Sequence, residues 1–342
     1  MKTRKSILLG VIFSGLACLT GMVSCNSQPT EEKAQAALEK KGGMVVTLAP
    51  DLTGIKAGLN LYEPSQEEAE QKAITNSCNV LQTRLDRFGA KKAFVKVTDE
   101  NRIIAIIPDV QEPERVRRLL QADGRLGFWE TYENREIVPM LAELNRFLSV
   151  GQENILFGIL NPCVYANGEA MSGPAVGSVH FADTARVRAI LTSEAAKRIL
   201  PADVRFVWTA KPEREGMPYY NLIALKAMRN GRAALEGDII IGAKATHNKW
   251  SPEPVIDIEM NTEGARCWQR LTRDNIGKSI AIVVNGLVYS YPRVMCEIEG
   301  GKSQITGNFT EEEAADMANL LQSGVMPCPV RIVEEQIIES QK

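Results

Sequence analysis

The chain has 342 residues, a formal net charge of −2 and 44% hydrophobic residues, enough apolar material for one large or two modest domains and too much for intrinsic disorder. Lys+Arg at 40 against Asp+Glu at 42 leaves no basic excess, which argues against nucleic acid as a partner. Only two histidines, His180 and His247, are present, so imidazole metal sites and histidine-assisted nucleophiles have almost no material, and no catalytic, cofactor or metal residue is expected.

The N-terminus carries Lys2, Arg4 and Lys5 ahead of an apolar stretch over 7–23, the layout of an export signal over 1–24. The stretch is interrupted by Ser14, Thr20 and three glycines and falls short of the roughly 20 apolar residues a membrane-spanning helix needs. Met22-Val23-Ser24-Cys25 resembles a bacterial lipobox, which makes Cys25 the expected site of lipid attachment; the other reading is an ordinary secretory leader with an incidental cysteine. Loss of 1–24 removes three cations and no acid, taking the charge from −2 to −5. The hydrophilic residues 25–40 then read as a tether. Excluding Cys18 and Cys25, five cysteines remain, an odd number without any C-x-x-C pair. Cys78 falls in the series Ile74, Cys78, Leu81, Leu85, Phe88, the buried stripe of a helix.

Along the mature chain, 44–48 reads as a buried strand, 65–88 as a helix stopped by Gly89, and 93–98 and 102–107 as strands around a turn at 99–101. A helix over 112–121 and a strand over 125–132 follow. The order βαββαβ is that of a ferredoxin-like unit, a four-stranded sheet with two helices on one face. Beyond residue 133 the pattern predicts a helix over 137–148, a loop over 151–174, an amphipathic helix over 187–199 and a strand over 204–208. A strand at 255–260, a helix at 262–274 and a strand at 280–284 come next, then Asn285-Gly286, the dipeptide of a type I′ hairpin turn, and a return strand at 287–290. Thr310 and Glu313 form a capping box opening a helix that Gly324 stops, and Pro327-Cys328-Pro329 leads into a β-rich tail over 330–338. The acidic run Glu311-Glu312-Glu313 with Asp316 reads as charge at a helix N-terminus rather than as a catalytic cluster.

A series of short motifs punctuates these elements: Lys41-Gly42-Gly43, Arg84-Leu85-Asp86-Arg87-Phe88-Gly89, Asn101-Arg102 through Pro108, Pro113-Glu114-Arg115, and Asn261-Thr262-Glu263-Gly264. Asn275-Ile276-Gly277, Val288-Tyr289-Ser290, Glu299-Gly300-Gly301 and Thr306-Gly307-Asn308-Phe309 complete it. In this order they resemble the first periplasmic domain of the SecD/SecDF family, accessories of the bacterial Sec translocon, over 38–338, with 134–230 matched by position only. The resemblance implies an α+β fold in which a ferredoxin-like base, βαββαβ plus a C-terminal strand, carries an inserted α+β head. Its boundaries would be 41–132 with 324–340 for the base and 133–323 for the head. The implied hinge lies at Thr131 and Tyr132 on the way out and at Gly324, Pro327 and Pro329 on the return. Asp109 stands where the family has a glycine, and Asn285 occupies a position that still suits a tight turn. The family continues into transmembrane helices that couple proton flow to movement; this sequence ends at Lys342, so the expectation is a protein without that motor.

The function so implied is that of a lipid-anchored envelope protein facing the periplasm. It is not an enzyme, needs no cofactor, and binds exported or unfolded polypeptide or assists Sec-dependent export, with the membrane reached through the lipid anchor. The alternative is a scaffold or adaptor that docks to a translocon accessory or another envelope complex without holding a client.

Overall fold

The computed structural model describes residues 30–56, 65–149, 154–236, 239–247 and 252–340; the export signal and Cys25 lie outside the described residues. The elements run α1 (Glu31–Lys41), β1 (Gly43–Pro50), α2 (Gln66–Phe88), β2 (Phe94–Val97), β3 (Ile103–Pro108), α3 (Pro113–Gln121) and β4 (Leu126–Thr131). Then come α4 (Asn134–Leu148), β5 (Leu160–Pro162), β6 (Ala175–His180), α5 (Thr184–Leu191), α6 (Glu194–Ile199), β7 (Val204–Trp208), β8 (Tyr219–Lys226) and β9 (Leu235–Glu236). The chain finishes with β10 (Ile240–His247), β11 (Pro254–Met260), α7 (Thr262–Asp274), β12 (Ile280–Val284), β13 (Leu287–Ser290), β14 (Lys302–Ile305), α8 (Glu311–Ser323) and β15 (Val330–Ile338).

The base is an antiparallel sheet in the order β15-β1-β3-β2. Strand periodicity divides its side chains cleanly between two faces. Met44, Val46 and Leu48 of β1 and Ile103, Ala105 and Ile107 of β3 meet Ile74, Leu81 and Leu85 of α2 and Val116 and Leu120 of α3. The intervening residues Val45, Ile104 and Ile106 face the other way, onto Ala34 and Leu38 of α1. Ser65 opens α2 with a capping box and Gly89, at φ +98°, ends it.

Two expectations change here. Residues 31–41 are a helix and not part of an extended tether: Ala34, Ala37 and Leu38 lie at i, i+3, i+4 and are buried, while the acids of the first turn and the lysines of the last suit the helix dipole. The strand at 126–131 does not close the base sheet. It pairs with β12, β8 and β9, and the place beside β1 is taken by β15 in a register from Gly43↔Ile338 to Pro50↔Val330. The reason is that β4 is apolar on both faces. Leu126 and Phe128 enter one core and Trp129 packs on another, so the strand needs cover on both sides, which the base edge does not supply.

In the head, β12, β4 and β8 form the middle of a curled sheet that β13 and β7 flank. A parallel bridge between Thr209 and Val288, with the Ala210 N–H donating to the Val288 carbonyl at 2.8 Å, brings β7 round to β13. Ile223, Leu225, Ala281, Val283 and Val288 fill the space so enclosed. One outer face is covered by α7, α8 and the sheet β10-β11-β14, the other by α4, α5 and α6. Asn285 and Gly286 adopt φ +52° and +76°, as the type I′ turn requires. The helix expected over 187–199 is two helices, because Ser193 caps a new one by accepting from the Ala196 N–H at 3.2 Å.

Candidate functional site

Two places in the molecule stand out from this packing. The first is the seam where the chain leaves the base and returns to it. Arg84, on the α2 stripe that carries the core leucines, is fully buried. Its Nε donates to Ser323 Oγ at 3.2 Å, one terminal nitrogen donates to the carbonyls of Leu119 (3.2 Å) and Ala122, and the other donates to the Gly324 carbonyl at 3.2 Å. These carbonyls belong to the last turn of α3 and the end of α8, groups that a helix leaves without partners of its own. Burial pulls the guanidinium down to about 10, with Asp123 pulling the other way, so it stays charged at neutral pH.

Around this centre, the Met326 N–H donates to the Asp123 carbonyl at 2.7 Å, and Asn319 Nδ2 donates to the Arg84 carbonyl at 3.0 Å. Arg115 on α3 reaches Asp316 on α8 through two bonds of 2.7 and 2.9 Å. The chain therefore crosses to the head at 122–125 and returns at 324–329, side by side. Gly324 lies in this seam, and Pro327 and Pro329 lie on the return, where the Pro329 carbonyl accepts from the Asp51 N–H at 2.7 Å. Thr131 and Tyr132, expected at the outgoing crossing, sit inside the head instead: Thr131 Oγ1 donates to the Ser279 carbonyl at 2.8 Å and the Tyr132 hydroxyl donates to Asp203 at 2.6 Å. They belong to the strand displaced from the base.

The second place is a groove of about 620 Å³ between α5, α6 and β7. Leu191, Ala196, Leu200, Phe206, Trp208 and Leu222 line it, and Arg188, Lys197 and Arg205 stand on its rim. The break between α5 and α6 opens it. Along one side runs β7, which pairs with β8 and runs on at Thr209 into the bridge to β13, so Phe206 and Trp208 present one face of the strand to the groove. An apolar trough of this kind can take up the apolar side chains of a peptide.

Apart from the arginines at the seam, the motif residues do not converge on either place. Gly42 and Gly43 sit where β1 passes between Ile338–Ser340 on one side and Ile107 and Pro108 on the other, and a Cβ on either would enter backbone atoms there. Gly89 and Asn275 end α2 and α7, and Arg102 lies beside Glu100 at 3.7 Å in the β2–β3 turn. Pro108 ends β3, Glu263 and Gly264 open α7, and the Gly264 N–H donates to Asn261 Oδ1 at 2.8 Å. Gly277, Gly300, Gly301 and Asn308 occupy turns at positive φ, Gly307 passes against the Phe309 ring, and Tyr289 stacks on Phe309 at 6.1 Å between centroids. Asp109 keeps the positive φ of the glycine it replaces, at +60°. Arg87 and Arg115 from the same motifs also reach α8, at Gln322 and Asp316, while the fully buried one at the crossing is Arg84. Its role was not readable locally, because its partners are carbonyls and a hydroxyl distant in sequence.

Residues 74–133 match the family model for the N-terminal part of the P1 domain of protein translocase subunit SecDF, and 218–328 match that for the SecDF P1 head subdomain. The SecD protein translocase subunit of Rhodothermus marinus is 30% identical over 301 residues, covering 80% of this chain and 47% of that protein. SecD of Leptotrichia buccalis is 38% identical over 108 residues, covering 32% of this chain and 26% of its own. The chain spans about half the length or less of these curated relatives. The crystal structure of SecDF in its super-membrane-facing form superposes with a TM-score of 0.51 at 21% identity, over 88% of this chain and 31% of that one. No helix among the described residues is long and apolar enough to cross a membrane.

Proposed function

This chain belongs to the SecD family through its first periplasmic domain, and from that premise we propose that it is a lipid-anchored envelope protein that assists Sec-dependent export by holding exported or unfolded polypeptide in its head groove, without catalysis. The observation that carries the reading is the groove between α5, α6 and β7, with a mainly apolar lining and a cationic rim. Association there is weak and apolar, and confinement to one membrane surface raises the effective concentration of clients enough for modest affinity to serve.

Calorimetry of the protein with a permanently unfolded exported protein gives a negative heat-capacity change and little loss of affinity at high salt. Phe206→Ala weakens binding about tenfold, the worth of a buried aromatic side chain, without lowering the melting temperature by more than a few degrees. Steep weakening with salt, or unchanged binding in this variant, removes the groove from the account.

The anchor has its own test. Metabolic labelling with a fatty acid marks the wild-type protein, whereas Cys25→Ser carries no label and leaves the membrane fraction on salt washing. Equal labelling of the two refutes the anchor.

One observation favours the scaffold alternative. The strand β15 pairs only with β1 among the described residues and shows Val333 and Ile337 at 43% and 56% exposure, an edge on which another envelope protein can dock. Under that reading the calorimetry gives no heat with an unfolded client.

A further inference from the structure

At the end of β4 remote from the crossing at 122–125, a cavity of about 710 Å³ opens between three pieces of the head. One wall is the first turn of α4, with Glu133, Arg135 and Glu136. The second is the hairpin 163–173, closed by the bridge between Val164 and Ala170 and presenting the exposed ring of Tyr165. The third is formed by 277–279 and 291–293, tied together by the bridge between Ser279 and Arg293, and it brings Lys278, Tyr291 and Arg293. Fully buried Asn134 clasps the hairpin to α4: its Nδ2 donates to the carbonyls of Cys163 and Met171, and its N–H donates to the Gly173 carbonyl at 2.7 Å. Thr131 Oγ1, on the Ser279 carbonyl, fixes the third wall to β4. The acids of the lining are engaged and the cations are not. Glu136 accepts from the Glu133 N–H at 2.8 Å, and Glu133 accepts from the Gly173 N–H at 3.2 Å and, in the capping box, from the Glu136 N–H. The side chains of Arg135, Lys278 and Arg293 have neither hydrogen bond nor ion pair among the described residues. Arg293 passes over Gly277, where a terminal nitrogen lies 3.9 Å from the place a Cβ would take.

We propose that this cavity binds an acidic sugar, a ring that carries one carboxylate and several hydroxyls. The lining holds three cations and two acids, so a single carboxylate brings it to neutrality, and a guanidinium offers that carboxylate two parallel donors. Hydroxyls need acceptors as well as donors. Glu133 and Glu136 keep lone pairs beyond those their backbone bonds use, because a carboxylate has about four acceptor positions. Tyr165 and Tyr291 add flat apolar surface with a polar tip, which suits the carbon face of a sugar ring. A bare anion would leave the acids and the rings without a part in binding, and a neutral sugar would leave the three cations unpaired. The volume is that of a site for a small molecule, and the clasp at Asn134 forms it in advance of the ligand. This site goes beyond the polypeptide reading and uses neither the groove between α5, α6 and β7 nor Cys25.

Ligand-observed NMR titration of the protein with glucuronic acid, glucose and acetate tests it. Glucuronate binds, whereas glucose, which lacks the carboxylate, and acetate, which lacks the ring, each bind about tenfold more weakly or not at all. Arg293→Gln removes a charge-assisted pair and weakens glucuronate about tenfold. Tyr165→Ala weakens glucuronate severalfold and leaves acetate as it was. Lys244→Gln, an equal loss of charge at an exposed position of β10, binds as wild type does. All three altered side chains are exposed, and all three variants melt as wild type does. Glucose or acetate matching glucuronate, unchanged binding in Arg293→Gln, an equal loss in Lys244→Gln, or no glucuronate binding overturns the proposal.

Discussion

Replacing Arg84 with methionine lowers the stability of the protein by about 3 kcal/mol and loosens the seam between base and head. The side chain has no exposed surface and makes no ion pair among the described residues; it is held by the carbonyls of Leu119, Ala122 and Gly324 and by the Ser323 hydroxyl. A buried guanidinium without a carboxylate partner is costly on its own, and it persists because it satisfies the ends of two helices at once. Methionine fills much of the volume but leaves these acceptors buried without donors, at about 1–3 kcal/mol each before water enters. Arg84→Lys recovers only part of the loss, since an ammonium cannot span the fork that reaches both α3 and α8. Gly124→Ala moves in the same direction through the same contact: a Cβ there lies 2.7 Å from an Arg84 nitrogen and 3.0 Å from the Gly324 carbonyl, at φ +74°. Urea denaturation measures the loss. Hydrogen exchange localises it, with faster exchange at the Met326 amide than in β12. A change below about 1 kcal/mol would show that the seam does not depend on this side chain.

What was legible in the sequence was what local chemistry writes. Ser65 and Gly89 bracket α2, Asn285-Gly286 turns β12 into β13, and Thr310 with Glu313 starts α8; each signal acts over a few residues and each holds in the structure. The misplacements arose where neighbours do not decide. The reading from sequence places both 126–131 and 330–338 in the base, and only the second lies beside β1. The distinguishing sign was available in β4, whose Leu126, Phe128 and Trp129 leave neither face polar. Helix α1 was hidden by its average: seven polar residues among eleven mask a stripe of Ala34, Ala37 and Leu38 that is enough to cover Ile106. The groove was beyond sequence reading because it is assembled from two helices and one face of a strand, none of which is unusual alone.

A chain ending at Cys328, and so without β15, loses the fold of the base while the head keeps its own. The missing strand supplies every partner of β1 from Gly43 to Pro50 on one side, so the removal exposes a ladder of backbone groups in the sheet. It also takes Val330 and Ile332 from the core under α2 and α3, Ile338 from the face under α1, and Glu335 from its two bonds to Arg117 on α3. One buried and two partly buried aliphatic side chains at about 1–2 kcal/mol each, with the lost ladder, consume most of the 5–15 kcal/mol that a domain has to spare. None of the three head cores contains a residue beyond Leu321, so they stand without the strand. The expected result is selective. Amides of Ala105 and Ile107 exchange at unprotected rates, those of Ile282 and Val284 remain slow, and a synthetic peptide of residues 329–340 added in excess restores protection in β3. Were β4 the fourth strand of the base, the same truncation would leave the sheet complete and both sets of amides protected. That outcome would return the head boundary to Glu133 and make β15 an appendage, whereas loss confined to the base makes the unit discontinuous, closed by a strand that arrives only after the whole head has been made.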